Sequence, residues 1–114
     1  DMTSHADSQS AFSNLNNKLP KILLMHDPGA LLDVAPDQTF DVALSGHMHC
    51  GQINLPAIGP LITPGRAPKK WANGWTDLPQ GRLFVTCGIG TSILPIRLNA
   101  PPEIVILDLE KQTN

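Results

Sequence analysis

Three histidines carry the chemistry legible in this chain. His26 closes the apolar run Ile22-Leu23-Leu24-Met25, and His47 and His49 follow a second run, Val42-Ala43-Leu44, after Ser45 and Gly46. Neutral imidazole is a common metal ligand. In extended chain, residues two apart point to the same side, roughly 6.5 Å from one another. His47 and His49 are therefore expected to flank Met48 on one side and to address the two members of a metal pair about 3.5–4 Å apart. Gly46 and Gly51 bracket the motif, where the backbone must turn sharply. A single histidine at a strand end is ordinarily a hydrogen-bonded surface residue, but three at one sheet edge point to metal. His5, in a polar tail, reads as solvated.

Other metal motifs fit less well. A cupin-type His-x-His needs a Glu a few residues on, where Ile53 and Asn54 stand, and the pattern His-x-His-x-Asp-His fails at Gly51 and Gln52. A structural zinc site from His47, His49, Cys50 and Cys87 has acceptable spacing but leaves His26 without a role. The two cysteines are not in a Cys-x-x-Cys knuckle, and their spacing leaves pairing open.

What must position the histidines is an α/β unit. Runs apolar on both faces suit strands buried in a parallel sheet, which predicts strands at 22–25 and 42–44. Between them, residues 28–35 predict a short helix ending before Pro36. Such a crossover is right-handed in nearly all cases, and ligands of open α/β sheets bind beyond the carboxyl ends of the strands. Upstream, Ala11, Phe12, Leu15 and Leu19 predict an amphipathic helix over 7–19, with Asp7 or Ser8 as N-cap and Pro20 as its stop. Later strands are expected at 83–87 and 103–109. The stretch from Leu55 to Gly81 is rich in Pro and Gly and reads as one long loop, ordered by packing of Trp71 and Trp75.

Composition narrows the function. The chain has 114 residues, enough for one core, with 41% apolar and 16% charged residues, the balance of a globular chain. A formal net charge of −2, with Lys69-Lys70 as the longest basic feature, gives no nucleic-acid signature. No apolar run approaches the ~20 residues of a membrane span, and no signal peptide is visible.

Taken in order, these residues resemble the calcineurin-like metallophosphoesterases. Ile22-Leu23-Leu24-Met25-His26-Asp27-Pro28 looks like that family's fourth motif, and Ser45-Gly46-His47-Met48-His49 matches its fifth, Gly-His-x-His. Gly51-Gln52-Ile53-Asn54-Leu55-Pro56, the segment from Cys87 to Arg97, and Pro101-Pro102-Glu103-Ile104 resemble one bacterial branch, often exported or membrane-associated. The likeness runs from about Asp7 to Glu110. It implies the carboxyl-terminal half of a four-layer α/β/β/α sandwich, with residues 1–114 forming a partial domain. It also implies a phosphomonoesterase or phosphodiesterase with two divalent or trivalent ions (Mn, Fe or Zn) and a bridging hydroxide. By position, His26 and His47 resemble ligands of one metal and His49 of the other; no catalytic residue beyond these ligands, and no substrate-binding residue, is assigned.

The departures are as informative. Asp-x-His, Gly-Asp-x-x-Asp and Gly-Asn-His-Asp/Glu, the family's first three motifs, are absent from the chain. The resemblance therefore implies partners: a phosphoester substrate, the amino-terminal half of the domain and, without that half, self-association or domain swapping. It implies a cell-envelope or membrane-associated location, and little activity for this chain alone. The alternative is a non-catalytic metal-binding or protein-docking scaffold on the same fold. Cys50 stands where the branch usually has Gly, and an inert buried thiol is its simplest reading. Gly88-Ile89-Gly90 lacks the Lys and the full glycine pattern of a phosphate loop; Arg97 reads as a surface residue within reach of a phosphate.

Overall fold

The computed structural model describes residues 7–110; His5 and its expected solvation lie outside them. The first element is α1, Ser8–Phe12, capped by the Asp7 carboxylate, which accepts from the Ser10 amide. It ends much earlier than expected. Ser13 turns its hydroxyl to the Ser10 carbonyl, Asn14 adopts φ 57°, and the Asn16 side chain accepts from the Lys18 amide. These short polar side chains satisfy local backbone groups outside a helix. Phe12 still packs against the core, whereas Leu15 and Leu19 are exposed.

Six strands follow. β1 (Ile22–Leu24), β2 (Val42–Ser45), β5 (Gly74–Leu78) and β6 (Gly81–Val85) form one sheet in the order β1-β2-β6-β5. β1 runs parallel to β2 and β2 parallel to β6, while β5 is antiparallel to β6. β3 (Asn54–Leu55) and β4 (Gly59–Pro60) make a small separate hairpin. The expected crossover is present, its helix realised as a 3₁₀ helix at Pro28–Asp33.

Two expectations for the later chain need correction. The stretch 55–81 is not one loop: it holds the β3–β4 turn, a 3₁₀ turn at Lys69–Trp71 and the whole of β5. β5 was illegible because Gly74-Trp75-Thr76-Asp77-Leu78 gains strand geometry from pairing with β6 rather than from its own apolar pattern. Residues 103–109, in contrast, join no ladder and form no strand. Glu103 anchors them by accepting from Thr86 Oγ1 and the Cys87 amide, and Ile104, Val105 and Leu107 line a shallow cleft with Leu44 and Phe84.

The two faces of the large sheet differ. Ala43, Leu83 and Val85 are fully buried on the inner face, against Leu31, Val34, Phe40, Met48, Trp71 and Ala72. On the outer face Leu24, Leu44, Phe84 and Trp75 lie side by side in register across all four strands. Leu24 is 73% and Trp75 47% exposed, although Arg82 stacks its guanidinium 4.4 Å over the Trp75 ring. β1 is thus only half-buried, through Leu23 on the inner face, rather than buried on both faces. The accessible surface is 8002 Å², against about 6100 Å² for a closed monomer of this mass. Among the described residues no helix is long and apolar enough to cross a membrane.

Candidate metal centre

The parallel pairing of β1 with β2 delivers His26 and His47 to the same sheet edge. The ladder carries past the strands: Met25 N–H donates to the Leu44 carbonyl, and the His26 carbonyl accepts from both the Gly46 amide and the Ser45 hydroxyl. Ser45 is buried, so this bond fixes where β1 ends relative to β2. The two imidazoles then sit with ring centroids 4.5 Å apart, tilted by 54°.

Asp27 prepares the other side of His26. It is buried and caps the Pro28–Asp33 helix by accepting from the Gly29 amide at 2.7 Å. Asp followed by Pro at the first helical position is a start signal legible in sequence. Gly65 closes over it so tightly that an added Cβ would stand 2.7 Å from Asp27 Oδ2.

The turn 47–52 is not the extended segment expected. His47, His49, Cys50, Gly51 and Gln52 all have positive φ, and His49–Gly51 is a 3₁₀ turn. Met48 explains the shape: its side chain has no exposure at all and plugs the inner core, so the backbone coils around it. His47 and His49 consequently do not share one side as strand neighbours. His47 turns to His26, while His49 Nδ1 lies 3.2 Å from the Gly90 carbonyl. Left-handed non-glycine residues cost about 1–3 kcal/mol each and collect at functional sites.

The electrostatics differ between the rings. Burial pushes the His47 pKa down, with the positive charge of His26 and then His49 acting in the same sense and Asp27 opposing them. His47 Nε2 is buried and has no hydrogen-bond partner. A carbonyl only accepts, so His49 must carry its proton on Nδ1, which leaves the Nε2 lone pair free. Both open nitrogens have the donor chemistry of ligands for Zn, Mn or Fe. Among the described residues, however, no three His, Cys, Asp or Glu side chains are grouped so as to hold an ion.

Cys50 and Cys87 form a disulfide, both buried. This excludes their thiolates from a zinc site with His47 and His49, and it replaces the reading of Cys50 as an inert thiol. The bond ties the histidine turn to the segment leaving β6. Arg97, expected at the surface, is instead half-buried and donates to backbone carbonyls around that turn. Its lone charge in the apolar run Ile93-Leu94-Pro95-Ile96 was the available signal; the carbonyl of Gly90 had none, because every residue carries one.

Comparison with known proteins decides the family. The chain is 39% identical over 113 residues, 99% of its length, to the metallophosphoesterase YkuE of Bacillus subtilis. The chain belongs to the metallophosphoesterases. It is also 33% identical over 91 residues to the phosphodiesterase YaeI of Escherichia coli, covering 80% of this chain. Identity to the UDP-2,3-diacylglucosamine pyrophosphatase LpxG of Chlamydia muridarum is 37% over 108 residues and 89% of this chain. The matches span only 38%, 33% and 32% of those three relatives. No family model and no solved structure matches. This metallophosphoesterase chain has the mixed α/β sheet expected of the carboxyl-terminal half of such a domain, and it corresponds to about a third of its relatives' length.

Proposed function

We propose that these residues are the carboxyl-terminal part of a dinuclear phosphoester hydrolase, in which His26 and His47 serve one metal ion and His49 the other. The observation that carries this is the unpartnered, buried Nε2 of His47 beside the His26 ring. A buried polar atom without a partner costs about 1–3 kcal/mol, and coordination would offset it. Depression of the His47 pKa favours the neutral ring that binds cations. Bound ions would supply Lewis-acid polarisation of the phosphoryl group and a nucleophile at neutral pH. The chain's own contribution is to hold His47 beside an exposed His26 that substrate can approach, and to orient the His49 ring through the Gly90 carbonyl.

The site needs further ligands. No carboxylate joins His26 and His47 among the described residues, which is the role we assign to the amino-terminal half of the domain. The open outer face and the free edge of β1 are where that half has room to pack. The names of the relatives, a phosphodiesterase and a pyrophosphatase, support a phosphoester-type substrate, and the disulfide suits an oxidising location such as the cell envelope.

His47→Asn in the full-length protein tests the assignment, because Asn tolerates the left-handed backbone at this position. The variant is expected to stay folded, lose one equivalent of metal and lose most phosphoesterase activity. Normal metal content with normal turnover would refute it. This chain by itself is expected not to hydrolyse p-nitrophenyl phosphate with Mn²⁺ or Zn²⁺ supplied; clear metal-dependent turnover would favour a self-sufficient site instead.

A further inference from the structure

The His49 side of the centre is organised by one side chain that the assignment above leaves without a role. The Arg97 guanidinium faces no carboxylate among the described residues and spends its donors on backbone carbonyls. Nε donates to Ala100 and Nη1 to Gly90. Nη2 reaches the carbonyls of Cys87 at 3.0 Å, His49 at 3.4 Å and Pro101 at 3.5 Å. One planar fork therefore touches the segment leaving β6, the loop through residue 90, the return at 100–101 and the histidine turn itself.

Gly90 is the important contact. Its carbonyl has two lone pairs; one accepts from Arg97 and the other from His49 Nδ1. Arg97 thus holds both the acceptor that orients the His49 ring and the backbone of His49. The outer partner of a ligating histidine fixes its tautomer and aim, and losing such a partner costs about 10–100-fold in metal affinity or activity. Lysine cannot reproduce the geometry, because its ammonium is a point charge without a rigid fork.

We propose that Arg97 is a positioning residue for the second metal ion: through the Gly90 carbonyl it locks His49 with its proton on Nδ1 and its Nε2 lone pair presented outward. The inference rests on the proposed role of His49. A plain loop staple is the competing explanation, and Gln52 provides the control. Its side chain ties the same loop at the Leu94 carbonyl and the Ser92 amide, at 2.6 Å and 2.7 Å, without touching Gly90.

The test uses the full-length protein with ¹⁵N-labelled histidine, comparing Arg97→Lys, Arg97→Met, Gln52→Asn and His49→Ala. In the metal-free state, long-range ¹⁵N–¹H spectra report the ring tautomer; calorimetric Mn²⁺ titration reports each binding step. Arg97→Lys keeps the charge and stem, so it remains informative if Arg97→Met folds poorly. Both Arg97 variants are expected to shift His49 away from the Nδ1–H form and to weaken one Mn²⁺ step about 10–100-fold. Gln52→Asn is expected to do neither. An unchanged His49 tautomer and unchanged Mn²⁺ affinity in Arg97→Lys overturn the proposal, as do equal shifts in Gln52→Asn. If His49→Ala retains both Mn²⁺ steps, the ligand assignment itself falls and this inference with it.

Discussion

Ser45 donates its hydroxyl to the carbonyl of His26 at 2.8 Å, joining the last residue of one parallel strand to the second residue beyond the end of its neighbour. The bond lies at the base of the two loops that bring the His26 and His47 rings to 4.5 Å. The His26 carbonyl keeps a second donor, the Gly46 amide, so removal of the hydroxyl leaves it satisfied. Ser45→Ala is therefore expected to lower stability by about 1 kcal/mol. The larger effect should be a weakened metal site in the full-length protein. Urea melts paired with metal analysis check this; an unaltered metal affinity would show that the strand ladder alone positions His26.

The disulfide closes a loop of sequence separation 37 across the histidine turn. Restricting the unfolded chain over such a loop stabilises the folded state by roughly 2–4 kcal/mol. Reduction, or Cys50→Ser with Cys87→Ser, should lower Tm accordingly and increase amide exchange in residues 49–52 before the sheet is affected. Identical melting with and without dithiothreitol would contradict this.

Stability should respond to pH through His47. Its folded pKa lies below the unfolded value, chiefly because burial opposes the charge. As pH falls from neutrality through the unfolded pKa of about 6.5, the unfolded state takes up a proton that the folded state refuses. Stability therefore declines across that interval until the lower folded pKa is passed, and it is flat above. Urea midpoints at pH 7.5 and pH 5 should differ more for the metal-free wild type than for His47→Asn. Equal differences would mean that other groups govern the slope.

Association follows from the outer face. Leu24, Leu44, Phe84 and Trp75 form an apolar row across the sheet, and β1 offers an unpaired strand edge. Bare edges recruit other chains, and large apolar patches are rare on soluble monomers. Alone, the 114-residue chain is expected to self-associate or bind hydrophobic dye, and Leu24→Lys should reduce both. A monodisperse monomer that binds no dye, measured by light scattering after size exclusion, would refute this.

The sheet edge that carries His26 and His47 was legible in the sequence, because apolar runs ending at or near histidine read as neighbouring parallel strands whose carboxyl ends meet. β1 and β2 in parallel, and a strand expected at 83–87 and found at Gly81–Val85, came from that pattern, while the roles suggested for His26, His47 and His49 rest on the motifs it matches. The helix over 7–19 and the strand over 103–109 did not form as expected. Local Ser and Asn hydrogen bonds end the first after Phe12, and the second found no free ladder beside β6.

What tertiary structure alone decided is the arrangement at atomic reach. Nothing in His47-Met48-His49 says that Met48 will plug the core and coil the turn, so that one ring faces His26 and the other Gly90. The pairing of Cys50 with Cys87 and the reach of Arg97 to the His49 carbonyl are equally non-local. The physical reason is common to all three. Periodicity fixes which face a residue occupies, but contacts between segments distant in sequence depend on how the core packs. Backbone carbonyls, identical at every position, leave no mark in a sequence.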